Sequence, residues 1–324
     1  MIRLLLPFSV LVACNAFRSC FTPGIPDPPD PDDTAETGET GETAETGETA
    51  ETAPAPPCDQ PEVEPNYNES TATPIEMEYW ACGVFMSDAS VDFDVFSFTV
   101  DTPAWIEINV DAVERGSAAN PVMTIESSRG LAAASERGPD SNDPYLLVPV
   151  PEADDWLIRL TDAYQGSSEE HTYRVMASEA KAPVEWTEVE VADHDEITEA
   201  QEITEGMVIL GTLDSATDFD WYYFRTPPGK SEVTVDVDAH SYGSPLLSRL
   251  QLYYLEQDSD GEWVERYQAT IDESPDSSSL DPKMIRSSEG DEDWYFKLRY
   301  RPDQRYGALY WYTLTVSVEE VTEE

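Results

Sequence analysis

The chain repeats itself, and the repeat limits its fold more than any other feature. Ser87-Asp88-Ala89-Ser90-Val91-Asp92-Phe93-Asp94-Val95-Phe96-Ser97-Phe98 returns as Leu213-Asp214-Ser215-Ala216-Thr217-Asp218-Phe219-Asp220-Trp221-Tyr222-Tyr223-Phe224. Both copies read Asp-x-x-x-Asp-Phe-Asp and then run into an aromatic-rich stretch. Upstream, Ala72, Ile75 and Gly83 match Ala200, Ile203 and Gly211. Downstream, Ile106 to Ala112 matches Val233 to Ala239, Asp155-Trp156 matches Asp293-Trp294, and Tyr173 matches Tyr312. A length of 324 residues leaves room for about two domains.

The matched segments alternate apolar and polar residues, the period of a strand with one face buried. Val95, Ser97 and Thr99 oppose Phe96, Phe98 and Val100. Turn signals divide the runs: Pro227-Pro228-Gly229 is a tight loop and Asp258-Ser259-Asp260-Gly261 a hairpin. No segment reads as a long amphipathic helix. The expected fold is all-β: two tandem antiparallel jelly-roll-like β-sandwiches of seven or eight strands each, spanning 58–179 and 183–320.

The N-terminal part reads differently. Met1 to Ala13 has Arg3 as a positive n-region and Leu4 to Val12 as an apolar stretch, the pattern of an export signal. That stretch is shorter than the roughly 20 residues that span a bilayer. Residues 14–57 are read as the lipidated Cys and a disordered tether, of which 22–57 cannot build a core. Pro23, Pro26, Pro28, Pro29 and Pro31 break regular structure, and Thr34 to Ala53 repeats Thr-(Ala/Gly)-Glu. Such a tether is expected to be disordered and self-repelling, with a reach on the order of 100 Å.

Leu11-Val12-Ala13-Cys14 resembles the bacterial lipobox. The resemblance implies cleavage before Cys14, lipidation of its thiol and attachment to a membrane through that anchor. Asn15 stands where Asp often marks inner-membrane retention, which favours the outer membrane or cell surface.

The folded region resembles the bacterial pre-peptidase C-terminal domain, whose collagen-binding-domain-like members are accessory modules. Glu62-Val63-Glu64-Pro65-Asn66 follows that family's opening Glu-Pro-Asn motif. Ala72 to Ile75, Gly83 and Asp92 to Phe98 follow in family order. The second copy departs from it, with Val191-Ala192-Asp193-His194 at the motif. The resemblance implies a jelly-roll-like sandwich, accessory binding, and Ca²⁺ held by Glu62, Glu64, Asn66 and Asp94, with Asp92 as a further candidate. Carboxylate and amide oxygens suit Ca²⁺, which takes six to eight of them. Tyr67 and Val91 stand where relatives often carry acids. Asp92 and Asp94 have a plainer reading as turn caps.

Export makes disulfides possible, and Cys58 and Cys82 are the expected pair, stapling the entry segment to an early strand. Cys20 is then left over. No Cys-x-x-Cys pair is present.

Lys and Arg number 18 against 67 Asp and Glu, a net charge of −49. Such a chain repels phosphate backbones, so no nucleic-acid partner is expected. His171, His194 and His240 adjoin no recognisable nucleophile, and the common hydrolase and nucleotide motifs are missing. The chain is therefore not expected to be an enzyme. One basic cluster stands out: Lys297, Arg299, Arg301 and Arg305, interleaved with Tyr300, Tyr306, Tyr310, Trp311 and Tyr312. Arg299, Tyr300, Arg301, Arg305 and Tyr306 are the candidate ligand edge, since Arg and Tyr are frequent contact residues. The plainer reading has the aromatics filling the sandwich and the bases paired with nearby acids. The function expected is a surface-anchored, non-catalytic binding or adhesion lipoprotein with a protein or polysaccharide partner. The alternative is a structural envelope lipoprotein that scaffolds another exported protein.

Overall fold

Alternation decides which side chains meet. Ile106, Ile108 and Val110 in the first copy, and Val233, Val235 and Val237 in the second, are all buried while their neighbours are not. The computed structural model describes residues 58–86, 92–191, 194–275, 279–302 and 304–322. The export signal, Cys14, Cys20 and the tether lie outside the described residues, as do Ala192 and Asp193.

The first copy supplies ten strands. They are β1 (Gln60–Pro61), β2 (Thr73–Pro74), β3 (Ala81–Val84), β4 (Asp94–Val100), β5 (Ala104–Asp111), β6 (Pro121–Ser127), β7 (Ala132–Ser135), β8 (Tyr145–Val150), β9 (Asp154–Asp162) and β10 (Thr172–Ala180). The second supplies β11 (Glu188–Val189), β12 (Gln201–Glu202), β13 (Val208–Thr212), β14 (Asp220–Arg225), β15 (Ser231–Asp238), β16 (Ser248–Gln257), β17 (Trp263–Ile271), β18 (Lys283–Ser288), β19 (Asp293–Tyr300) and β20 (Trp311–Glu320).

Each copy forms two five-stranded sheets, β1-β3-β10-β5-β8 with β2-β4-β9-β6-β7, and β11-β13-β20-β15-β18 with β12-β14-β19-β16-β17. Adding ten to every strand number of the first sandwich gives the second. The pairing is antiparallel except at β1–β3, β2–β4, β11–β13 and β12–β14. Those four two-residue strands raise the count above the seven or eight expected, because a two-residue strand carries no alternation to read.

The inward faces make the core. Phe96 and Phe98 of β4 meet Trp156, Ile158 and Leu160 of β9, and Tyr222 and Phe224 of β14 meet Trp294, Phe296 and Leu298 of β19. The two sandwiches also touch. The Trp311 indole N–H donates to the Leu147 carbonyl at 2.7 Å, the Leu147 N–H donates to the Gly243 carbonyl at 2.8 Å, and Trp105 stands edge-on to Trp311. Cys58 and Cys82 form a disulfide with their Cα atoms 5.8 Å apart, fixing the entry segment to β3.

Candidate functional site

In each sandwich the entry segment crosses one open end and bonds to both sheets. In the first, the Glu62 N–H donates to Cys82 and the Val95 N–H donates to the Asn66 carbonyl, both at 2.9 Å. In the second, the Glu190 N–H donates to Leu210 at 2.9 Å and the Trp221 N–H donates to His194 at 3.1 Å. The crossing closes a small polar pocket over the core.

Its frame is the same in both copies. The Tyr173 hydroxyl bonds the carboxylates of Glu62 and Asp94, and the Tyr312 hydroxyl bonds those of Glu190 and Asp220. Gly83 and Gly211 make room for this. A Cβ at Gly83 would fall on the Tyr173 hydroxyl and the Glu62 carboxylate, and one at Gly211 on Tyr312 and Glu190. The matching glycines and tyrosines of the sequence are thus one device: glycine leaves the gap in which tyrosine bridges two buried acids.

The acids are crowded. Burial first, then the charge of Glu62, pushes the Asp94 carboxyl up to about 8. Burial likewise raises Glu62, and raises Glu190 to about 7. Asp220 is pushed well above its ordinary range by burial and then by Glu190. Charged carboxylates held this close attract either protons or a cation.

In the first sandwich, carboxylate oxygens of Glu62, Glu64 and Asp94 lie within 4.8 Å of one another. Asn66 is fully buried beside them. Its side-chain oxygen faces a Glu64 oxygen at 3.3 Å and an Asp94 oxygen at 3.2 Å. Turned over, the amide would instead donate to both carboxylates. The donor set fits a hard cation, and four of the five candidate ligands meet here. Asp92 is placed differently: its carboxylate accepts from the Met86 N–H at 2.5 Å, as a turn cap does.

The basic cluster divides. The Arg301 guanidinium turns inward to the carbonyls of Ser248, Asp272 and Leu280. Tyr300 packs against the core, and its hydroxyl donates to the Ala216 carbonyl at 3.3 Å. Tyr306 is tilted against Tyr300 with ring centroids 5.2 Å apart, and Arg305 is exposed. Tyr310, Trp311 and Tyr312 are buried. Arg299 points outward with Lys297, and both cations lie near the Phe219 ring, Lys297 at 4.0 Å and Arg299 at 5.4 Å. Neither has an ion-pair partner among the described residues.

Arg299 and Lys297 border a feature that the sequence reading missed. Tyr223, Tyr295, Tyr253 and Tyr267 pair in register across β14, β19, β16 and β17, forming one row on the outer face. At about 4.8 Å per strand the row is roughly 14 Å long. Ring centroids are 5.3 Å apart for Tyr223–Tyr295 and 5.7 Å for Tyr253–Tyr267. Trp221 packs against Tyr253 at 5.0 Å from the next rung, and Trp263 is 65% exposed beyond the row. The equivalent rung of the first sandwich is Ser97, Leu157, Glu126 and Ala132. A signal did exist: aromatics at the outward positions of β14 and β19, where polar residues belong. The bulge between Leu252 and Tyr253 hid the register of the other two.

Two further clefts lie among the described residues. One of about 620 Å³ lies where the sandwiches meet, lined by Trp80, Tyr145, Arg174 and Tyr242. There the Arg174 guanidinium covers the Trp80 ring at 3.9 Å. The other, about 840 Å³, runs along Ser97, Thr99, Leu157 and Arg159 on the outer face of the first sandwich.

Fold and sites together define a tandem β-sandwich protein. No protein-family model matches the chain, and no curated protein matches it. Among solved structures it is similar to the tandem CBM51 modules of a family 98 glycoside hydrolase from Streptococcus pneumoniae. Identity there is 9%, covering 74% of this chain and 88% of that one, with a TM-score of 0.22. It is also similar to the CBM22 tandem domain of Xyn10C from Paenibacillus barcinonensis, at 11% identity over 75% of this chain and 93% of that one, TM-score 0.22. The ANX1 ectodomain from Arabidopsis thaliana matches at 8% identity over 75% of this chain and 89% of that one, TM-score 0.17. Superpositions this loose carry no inference about ligand or activity.

Proposed function

We propose that the chain is a lipid-anchored, non-catalytic binding protein whose second sandwich grips an acidic polysaccharide. The tyrosine row carries this reading. Four aromatic rings in one rung of a sheet, half open to water and tilted to one another, offer apolar faces and edges against which sugar rings can pack, and such amphipathic rings bind at little entropic cost. Lys297 and Arg299, at the edge of the row in a chain of charge −49, supply cations for the carboxylates or sulfates of the polymer. Cys14 would carry the lipid and hold the protein at the outer membrane or cell surface, with the tether setting its reach. Ca²⁺ on Glu62, Glu64, Asn66 and Asp94 would stiffen the first sandwich as a structural ion.

The full chain should be retained on immobilised polygalacturonate or alginate and not on a neutral glucan, with retention falling as salt rises. Y253A/Y295A should abolish retention while the protein stays folded, since both rings lie outside the core. Unchanged retention by that variant would end the polysaccharide reading. A single envelope protein captured equally by both forms would favour the scaffolding alternative.

A further inference from the structure

The cleft between the sandwiches is walled by two matched turns, Val113–Arg115 and His240–Tyr242. In the first, the Asp143 carboxylate accepts from the N–H groups of Ala112, Val113 and Glu114 at 2.9, 2.8 and 3.1 Å. In the second, the Asp281 carboxylate accepts from those of His240 and Ser241 at 2.9 and 2.8 Å. Each cap fixes its turn. Gly243 ends the second turn with φ +87°, and a Cβ there would strike the Tyr145 ring, so the two copies meet closely at that point. The Leu147 N–H donating to the Gly243 carbonyl holds them together. A cleft of about 620 Å³ with fixed walls, at a domain junction, has the size and place of small-ligand sites.

The cleft already seats one cation of the protein's own. The Arg174 guanidinium covers the Trp80 ring at 3.9 Å and bonds the Asp111 carboxylate at 2.7 Å. An aromatic face and a carboxylate together hold that charge. Tyr145 and Tyr242, half-buried, with Glu114 and Asp140, exposed, offer the same two kinds of group again. Neither the Glu114 nor the Asp140 carboxylate has a hydrogen bond or ion pair among the described residues.

The surrounding field has the matching sign. The charge of Asp238 first, then burial, then Asp236 and Asp281 raise the Tyr242 hydroxyl above its ordinary value. Bases nearby are engaged: Arg115 and Arg174 face Asp111, and Lys283 bonds Asp236 at 2.6 Å. A concave anionic site concentrates cations. Glu114 and Asp140 belong to no group of three ligand atoms close enough to share a metal ion among the described residues, so an organic cation fits better than a metal. Leu147, Pro139 and Pro183 supply apolar wall for an alkyl chain.

We propose that this cleft binds a small aliphatic oligoamine, with its ammonium groups at Glu114 and Asp140 and its methylenes against Tyr145, Tyr242 and Leu147. The site is separate from the polysaccharide face and does not rest on it.

The test titrates the full chain with spermidine by calorimetry in about 150 mM NaCl, where diffuse surface pairing is screened. One saturable equivalent is expected. E114Q/D140N should weaken it about a hundredfold, roughly tenfold for each charge-assisted contact removed. Y242A should weaken it several-fold, and fully acetylated spermidine, which carries no charge, should not bind. D260N/E262Q removes the same charge from the β16–β17 hairpin and should leave the affinity unchanged. None of these side chains belongs to the core, so the variants should fold. Unchanged affinity in E114Q/D140N, or equal weakening in D260N/E262Q, would mean diffuse pairing with an acidic chain and would overturn the proposal. Binding of oligolysine without binding of spermidine would make the cleft a peptide site and overturn it as well.

Discussion

The two sandwiches share every strand pairing and the Gly–Tyr–Glu–Asp frame, yet they differ in the entry segment and on the outer face. Where the first pocket has Asn66, the second has His194. Where the first outer face has Ser97, Leu157 and Glu126, the second has Tyr223, Tyr295 and Tyr253. The frame positions are held by packing, because Tyr173 and Tyr312 each bond a buried Asp of the opposite sheet and each fills the gap that a glycine of the adjacent strand leaves. The variable positions of the outer face touch little that the core needs, whereas Asn66 and His194 are both buried and keep the same backbone bond to the neighbouring sheet. Duplicated sandwiches can therefore diverge in chemistry without diverging in shape.

If the frame is one device used twice, damage to it should cost alike in both copies. G83A and G211A each push a methyl group onto a tyrosine hydroxyl and a carboxylate. Each should destabilise its sandwich by about 3 kcal/mol, read by urea unfolding. A cost in only one copy would show that the frame is decorative in the other. The disulfide breaks the symmetry. Cys58–Cys82 belongs to the first sandwich, and the corresponding residues Trp186 and Leu210 cannot pair. C82A should lower the stability of the first sandwich by up to about 3 kcal/mol, the loop-closure contribution, and leave the unfolding of the second unchanged. Equal loss in both would mean that the sandwiches unfold as one cooperative unit.

Calcium sharpens the contrast further. Ca²⁺ at about 100 times its Kd should raise stability by about 2.7 kcal/mol, and E64Q should remove that gain. A calcium gain that survives E64Q unchanged would take the ion away from the Glu62, Glu64 and Asp94 cluster.

How much of this the sequence disclosed follows the range of each interaction. Period-two alternation is local, so the sandwiches and the buried faces of β5 and β15 could be read directly. Gly83 with Gly211, and Tyr173 with Tyr312, were visible as matched letters. Their joint purpose was not, because glycine and tyrosine meet across adjacent strands, Gly83 with Tyr173 and Gly211 with Tyr312, far apart in the sequence. The oxygen donors Glu62, Glu64, Asn66 and Asp94 came from a family motif. His194 matched no motif and stood out only once its unpartnered nitrogen faced Asp220. The tyrosine row depends on register across four strands, and one bulge shifts it. Arg301 was legible as a base, but only the packing shows its guanidinium spent on backbone carbonyls.

The smallest expected difference concerns a matched pair of acids, Asp111 and Asp238. In the first sandwich, Arg174 of the neighbouring strand bonds Asp111 at 2.7 Å. In the second, Thr313 holds that place. Asp238 instead faces Asp236 and Asp281, with Ser241 and Lys283 as its helpful neighbours and the Tyr242 hydroxyl nearby. Burial first, then the charges of Asp236 and Asp281, pushes its carboxyl up to about 6. In the unfolded chain it titrates near 3.9. Between those values the folded state binds the extra proton, so stability is fully present below about pH 4 and declines as pH rises to about 6. After screening the contribution should be of order 1 kcal/mol. D238N should flatten that part of the pH profile of unfolding free energy, because an amide needs no proton to sit beside two carboxylates. A slope between pH 4 and 6 that persists unchanged in D238N would assign the titration to another carboxyl.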